Sequence, residues 1–364
     1  MALKEKPLKR IIIHAILFIS CICSIYPILN VISISLRPGD RAFSTSLAII
    51  PKDATFNAFK IILFEKGYDG GDARIEEMVL TEIKYGDRES IKQRYADIIT
   101  EKAENDEKME GAELKEYKMF QKSINMPSEM IDKRVAYLQE LQTKTWYKFF
   151  NSSFWIWFKN SMIVSFFTVV FGVAFAATAG YAFSRFNFPG KKFGLTFFLI
   201  TQMFPPTMLL LPMYLVMSKL ELTNTYIGLI LMYSTTALPL CVWQMKGYYD
   251  TIPYSLEEAA LIDGASNWKA FYQIILPLVR PGVVVTALFS FMAAWTDFAI
   301  ANVMMQREEL KTLPLGLQSM NGRYLVEWAN FSAASILVMI PALLLFMYLS
   351  KFLVSGLTLG GVKE

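Results

Sequence analysis

The chain has 364 residues, 54% of them hydrophobic and 19% charged, and its 36 Lys and Arg against 32 Asp and Glu leave a formal charge of +4. A soluble domain carries about 25% charged residues, so a mean hydropathy of +0.35 together with 28 Phe points to a membrane protein. The charge surplus is too small for a nucleic-acid binder, and Cys21, Cys23, Cys241 and His14 are too few and too scattered for a disulfide scaffold or a metal site.

A helix crosses the hydrocarbon core with about 20 mostly apolar residues. Six stretches qualify, at roughly 11–35, 160–183, 193–217, 226–247, 282–304 and 332–354. The first follows Lys4, Lys6, Lys9 and Arg10, a front shared with secretory signal peptides, but its apolar run is too long for one and no small-residue cleavage site follows. It is read as an uncleaved span. Between it and the second span lies a segment from Leu36 to Phe154 with 19 Lys and Arg and 21 Asp and Glu, far longer than a connecting loop. Ile91, Tyr95, Ile98 and Ile99 form one helical stripe and Ile131, Val135, Leu138 and Leu141 a second, with Gly70 and Gly71 ahead of the first and Pro127 between them. The segment reads as a small helical subdomain of hairpin type. Its Glu101 to Glu116 stretch is rich in charge, and a solvated helix and a mobile segment both fit it.

On the second span Gly172, Ala176 and Gly180 recur every four residues, a face that lets another backbone approach closely. Pro205, Pro206 and Pro212 in the third span, Pro239 in the fourth and Pro341 in the sixth each remove a helical hydrogen bond. Bent helices around a path and ordinary kinked packing both account for them. With the amino terminus inside, the cytoplasmic segments hold twelve basic residues and the short outer ones five, so both termini are expected in the cytoplasm.

Between the fourth and fifth spans, Ser255 and Glu258 have the spacing of a capping box, which starts a helix at Leu256. Gly264 is placed to end it in the left-handed conformation, Ser266 to cap a second helix, and Pro277 to stop that one. Ala259, Ala260, Trp268, Phe271 and Ile275 exceed what a solvated loop displays. A helix pair laid in a partner's groove and a helix lying on the membrane surface are the two readings of them. Asp297, in the fifth span, is a costly intramembrane carboxylate: it either lines a transport path or is solvated near the outer interface.

The run Glu258-Ala-Ala, Gly264 and Ile274-Ile-Leu-Pro277 resembles the EAA motif of ABC-importer permeases. The resemblance implies that Glu257, Glu258, Ala259, Ala260, Gly264, Ile274, Leu276 and Pro277 belong to coupling helices that dock on an ATP-hydrolysing subunit. Tyr181 to Gly190 is similar to the loop after the second span in carbohydrate importers, and Gly356 to Lys363 to the tail of the maltose/maltodextrin, MalG-type family. There Gly356, Thr358, Gly360, Gly361 and Lys363 would reach between two ATPase subunits. The loop from about Gln306 to Asn330 would correspond to one that enters a sugar-binding protein's cleft, carrying Gly316, Gln318, Asn321, Gly322 and Tyr324. Gly316 and Gly322 would turn it tightly; Tyr324 and Trp328 would stack on sugar or, the preferred reading, anchor the loop at the interface.

The resemblance implies an all-α, multi-pass protein of the bacterial inner membrane with the permease fold. Residues 1–35 form the amino terminus and first span, 36–154 the extracytoplasmic insert, 155–355 the core with its coupling loop at 248–281, and 356–364 the tail. Its implied partners are a second permease, an ATPase homodimer that holds the ATP and magnesium, an extracytoplasmic sugar-binding protein and membrane lipid. The chain has no G-x-x-x-x-G-K-[ST] phosphate loop, so no cofactor is expected on it. An intramembrane enzyme lacks support because no H-E-x-x-H and no credible Ser/His/Asp set occurs. An ion-coupled transporter would show more intramembrane ionisable groups or an inverted repeat of broken helices.

Overall fold

The computed structural model describes residues 7–38, 50–65, 72–104, 111–143, 152–319 and 328–359, and helices dominate them. Four are long and apolar enough to cross a membrane: α1 (Pro7–Ser35), α6 (Ser153–Arg185), α9 (Tyr226–Asp250) and α15 (Trp328–Leu359). Two bent pairs bring the number to six if each counts as one span.

The first bent pair replaces the third expected span. Helices α7 (Lys191–Met203) and α8 (Pro206–Lys219) meet at 107°. The cause is local. Pro205 pushes Phe204 into extended backbone (φ −76°, ψ 131°), as a residue before proline prefers, and Pro206 has no N–H to give to the preceding turn. Pro212, Pro239 and Pro341 instead lie inside continuous helices. The second pair joins α11 (Asn267–Leu278) to α12 (Arg280–Trp295) at 78°. The fifth expected span therefore stops at Trp295, and a short α13 (Ala299–Met304) follows Asp297.

Helix α6 is the centre of the membrane part. It packs along α9 and α12, which also pack on each other, while α15 covers α12 and meets α1. The small-residue face does what its spacing implied. A Cβ on Gly172 would lie 2.3 Å from the Ser290 hydroxyl of α12, and one on Gly180 would lie 2.7 Å from Met245 Cβ of α9. Ala176, between them, is fully buried. By contrast α7 and α8 contain no buried residue, and α1 is exposed from 12 to 28.

After a short helical stretch over 57–65, the segment that follows α1 contains four longer helices among its described residues rather than a hairpin: α2 (Asp72–Tyr85), α3 (Arg88–Glu104), α4 (Gly111–Ser123) and α5 (Ser128–Thr143). Their core joins Ile91, Tyr95, Ile131 and Leu138 of the expected stripes to Val79, Leu80 and Ile83 of α2, Phe120 of α4 and Ile124 in the turn after it. Ile98 and Val135 pack at its edge, Ile99 is exposed, and the side chain of Leu141 lies outside the described residues.

Candidate functional site

The loop after α9 folds as a helix pair, though not with the expected cap. Helix α10 (Ser255–Ile262) begins one residue early, with Tyr254 at its N-cap position and no side-chain cap. The Glu257 and Glu258 amides bond the Tyr254 carbonyl at 2.9 and 3.1 Å. Because Ser255 is already helical, its hydroxyl cannot serve as the box. The other two signals hold. Gly264 has φ +80°, and the Ala265 amide reaches back to the Ala260 carbonyl at 3.0 Å, while Ser266 accepts from the Lys269 amide at 3.3 Å.

Pro277 does not stop the second helix. The chain widens into a π turn over Phe271–Ile275 and runs on through Leu278. The Leu276 amide bonds the Phe271 carbonyl, so the wider turn absorbs the donor that Pro277 lacks. The bend falls at Val279 (φ −91°, ψ 18°).

Burial divides the residues expected to face a partner. Ala260, Phe271 and Ile275 are buried, the latter two in a cluster with Ala176, Val242, Met245 and Tyr249, and Ile274 and Leu276 pack at its margin. Pro277 is half-buried, while Glu258, Ala259 and Gly264 are exposed. The apolar surface left open comes from Leu256, Leu261, Ile262 (86% exposed), Trp268 (69%) and Tyr272. These large apolar side chains are exposed on several sides of the helix pair, and apolar surface left open in this way marks candidate interaction sites.

Glu257 faces the other way. One of its oxygens pairs with Arg185 Nε at the end of α6, and the other accepts from the Tyr181 hydroxyl at 2.9 Å. Arg185 also donates to the Ile252 carbonyl at 2.9 Å and lies over the Tyr254 ring at 4.4 Å. Ser184 donates to Asp250 at 2.7 Å, Lys246 pairs with that carboxylate, and the Tyr254 hydroxyl donates to the Ser184 carbonyl at 3.1 Å. In the sequence Arg185 stands as one of the twelve basic residues of the cytoplasmic segments and within the Tyr181–Gly190 stretch, with no partner of its own. A clue was available in Tyr181 and Arg185, four apart and so on one face of the last helical turn.

At the opposite end of α6, Asn160 donates to the Glu309 and Lys311 carbonyls at 2.8 and 2.9 Å and accepts from the Tyr226 hydroxyl at 2.7 Å. Ser161 accepts from the Leu313 amide at 2.7 Å. These bonds hold the start of α14 (Leu313–Ser319). Gly316 is buried within that helix, where a Cβ would lie 2.0 Å from the Trp157 ring. It permits close approach rather than a tight turn. Gln318 is exposed; Asn321, Gly322 and Tyr324 lie outside the described residues. Asp297 is half-exposed, and its Oδ1 accepts from the Ile300 amide at 2.9 Å and the Tyr233 hydroxyl at 3.1 Å, capping α13. Gly356 and Thr358 continue α15 beyond the expected end of the last span. Gly360, Gly361 and Lys363 lie outside the described residues.

Comparison with known proteins places these features in a family. Residues 155–358, more than half of the chain, match the model of the binding-protein-dependent transport system inner membrane component. The maltodextrin transport system permease MalD of Streptococcus pneumoniae is 40% identical over 208 residues, 57% of this chain and 74% of that one. The galactooligosaccharides transport system permease GanQ of Bacillus subtilis is 39% identical over the same shares. The maltose/maltodextrin permease MalG of Escherichia coli is 38% identical over 215 residues, 57% of this chain and 72% of that one. In fold, the chain is similar to a bacterial ABC transporter involved in the import of the acidic polysaccharide alginate, at TM-score 0.61, 17% identity and coverage of 96% of this chain and 99% of that one. The chain thus belongs to the binding-protein-dependent transport system inner membrane components, as a multi-pass carbohydrate ABC-importer permease.

Proposed function

We propose that this permease imports maltose, maltodextrin or a related oligosaccharide, and that α10 and α11 are its contact with a separate ATPase dimer. The observation that carries the coupling assignment is the exposure of the large apolar side chains Leu256, Leu261, Ile262, Trp268 and Tyr272 on the helix pair, along with the exposed Glu258 and Ala259. In this reading Gly264 supplies the turn between the two helices, and Ile274, Leu276 and Pro277 seat the second helix against α6 and α9. The tail residues Gly356, Thr358, Gly360, Gly361 and Lys363 add a second ATPase contact. ATP and magnesium stay on the partner, whose closure draws the coupling helices together and reorients the spans.

Opposite, the segment with Gly316, Gln318, Asn321, Gly322 and Tyr324 meets the sugar-binding protein. The unburied faces of α7 and α8 meet lipid and a second permease subunit. The names of the relatives support an oligosaccharide substrate, and maltodextrin and galactooligosaccharide appear among them at nearly equal identity. The test is import by the complete transporter in proteoliposomes. Labelled maltodextrin should enter only with ATP and the binding protein. Import driven by an ion gradient without ATP would overturn the reading, and competition with galactooligosaccharide ranks the two sugars.

A further inference from the structure

The network around Arg185 joins three elements distant in sequence. The Arg185 side chain is 3% exposed and that of Glu257 12%. Both carboxylate oxygens of Glu257 are engaged, one by Arg185 and one by Tyr181. Two further guanidinium donors go to the Ile252 carbonyl at 2.9 Å and the Ser184 hydroxyl at 3.4 Å. Planar, forked donors suit such a site where an ammonium would not. A parallel strand of bonds, from Ser184 to Asp250 and from Tyr254 to Ser184, fixes α6 to the end of α9 and to the linker before α10.

A buried pair is weak evidence for stability, because apolar residues of similar volume often serve as well. What it adds is direction: one geometry in which α10 can sit against α6. Helix α6 is also unbroken over 33 residues, roughly 50 Å at the α-helical rise. At its far end Asn160 and Ser161 hold the segment around 309–313. One rod therefore carries the coupling loop at one end and α14 at the other.

We propose that Arg185 and Glu257 are positioning residues that lock α10 to α6, so that displacement of the coupling loop is delivered along α6 to the opposite face. Glu257 is then an internal tie, and Glu258 alone of the two acids faces the ATPase. The proposal rests on the coupling-loop reading given above.

The test uses the complete transporter in proteoliposomes and compares Arg185→Lys, Glu257→Gln and the double variant. Two quantities are read: sugar imported per ATP hydrolysed, and the ATPase that co-purifies per permease. The first is a ratio within assembled complex and the second is taken per folded permease, so a folding loss enters neither. Each single variant should retain the ATPase yet import about tenfold less sugar per ATP, within the range of ordinary coupling free energies. The double variant should lose clearly less than the sum of the two singles, since the pair between them is what both remove. Wild-type import per ATP in the singles, loss of the ATPase from them, or additive losses in the double would each overturn the tie. Glu258→Lys separates the two readings. It should release the ATPase, and its retention with normal import would overturn the coupling-loop assignment itself, whatever the Arg185 variants do.

Discussion

Helices α2 to α5 and the membrane helices solve the same packing problem from opposite sides. The four-helix segment buries Leu80, Ile83, Ile131 and Leu138 and spreads its charges outside as pairs, such as Arg134 with Glu76 at 2.8 Å and Lys84 with Asp132 at 2.6 Å. The membrane helices expose Phe193, Phe197, Leu211 and Leu215 and bury Asn160, Ser165, Thr168 and Thr286. Water drives apolar side chains together. Lipid is as apolar as leucine and does not, so membrane helices associate through small residues and hydrogen bonds. The same residue type should therefore carry very different weight in the two regions.

Leucine truncation tests this with the largest expected effect. Leu80 is fully buried, and Leu80→Ala should destabilise the α2 to α5 unit by about 2–5 kcal/mol through lost transfer energy and a cavity. Leu17→Ala, on α1 where the residue is 57% exposed, should leave the thermal stability of the purified complex nearly unchanged. Hydrogen exchange across residues 76–138 of the intact transporter reads the first, and a thermal melt the second. Equal losses at both sites would break the contrast.

The reciprocal experiment enlarges a small residue in the membrane part. Gly172→Val places branched carbon where even a Cβ would lie 2.3 Å from the Ser290 hydroxyl. Overpacking of this kind costs about 1–3 kcal/mol, and here the strain falls on the seam between α6 and α12. A lower melting temperature of the complex is expected, with exchange in α2 to α5 unaffected. Gly247→Val serves as the control for crowding, since nothing lies within 4 Å of a Cβ there.

The contrast also explains what could be seen without coordinates. Apolar runs announce α1, α6, α9 and α15, and the Gly172, Ala176, Gly180 spacing announced the face on which α6 packs. Pro205 and Pro206 marked a break but not its 107° angle, which depends on what α7 and α8 meet. Asp297 was visible as an anomaly, yet its task as the cap of α13 needed the break after Trp295. In the charged segment the Ile91 and Ile131 stripes were legible, whereas Val79, Leu80 and Ile83 of α2 were passed over among acidic neighbours. At the loop, Gly264 and Ser266 were readable because turns and caps are local. Arg185 and Glu257 were not paired by inspection, because only the tertiary fold brings residues 72 positions apart together.

The smallest expected effect lies at a cap in the solvated region. Asp87 accepts from the Ser90 amide at 3.1 Å and from the Glu89 amide at 3.5 Å at the start of α3. The Ser90 amide, chiefly, holds its carboxyl below the ordinary value of 3.8. A carboxylate whose folded value is depressed gives its full stabilisation above the ordinary value and loses it as pH falls through the folded one. Protection of the first amides of α3 should therefore be constant from neutral pH down to about 4 and decline below that. Asp87→Asn keeps an acceptor at the cap but has nothing to titrate, so its protection should not fall in that acid window. Asp87→Ala should lower protection at every pH. An acid decline that persists unchanged in Asp87→Asn would assign the effect to another group, and the contrast would then rest on interactions other than a cap within one helix.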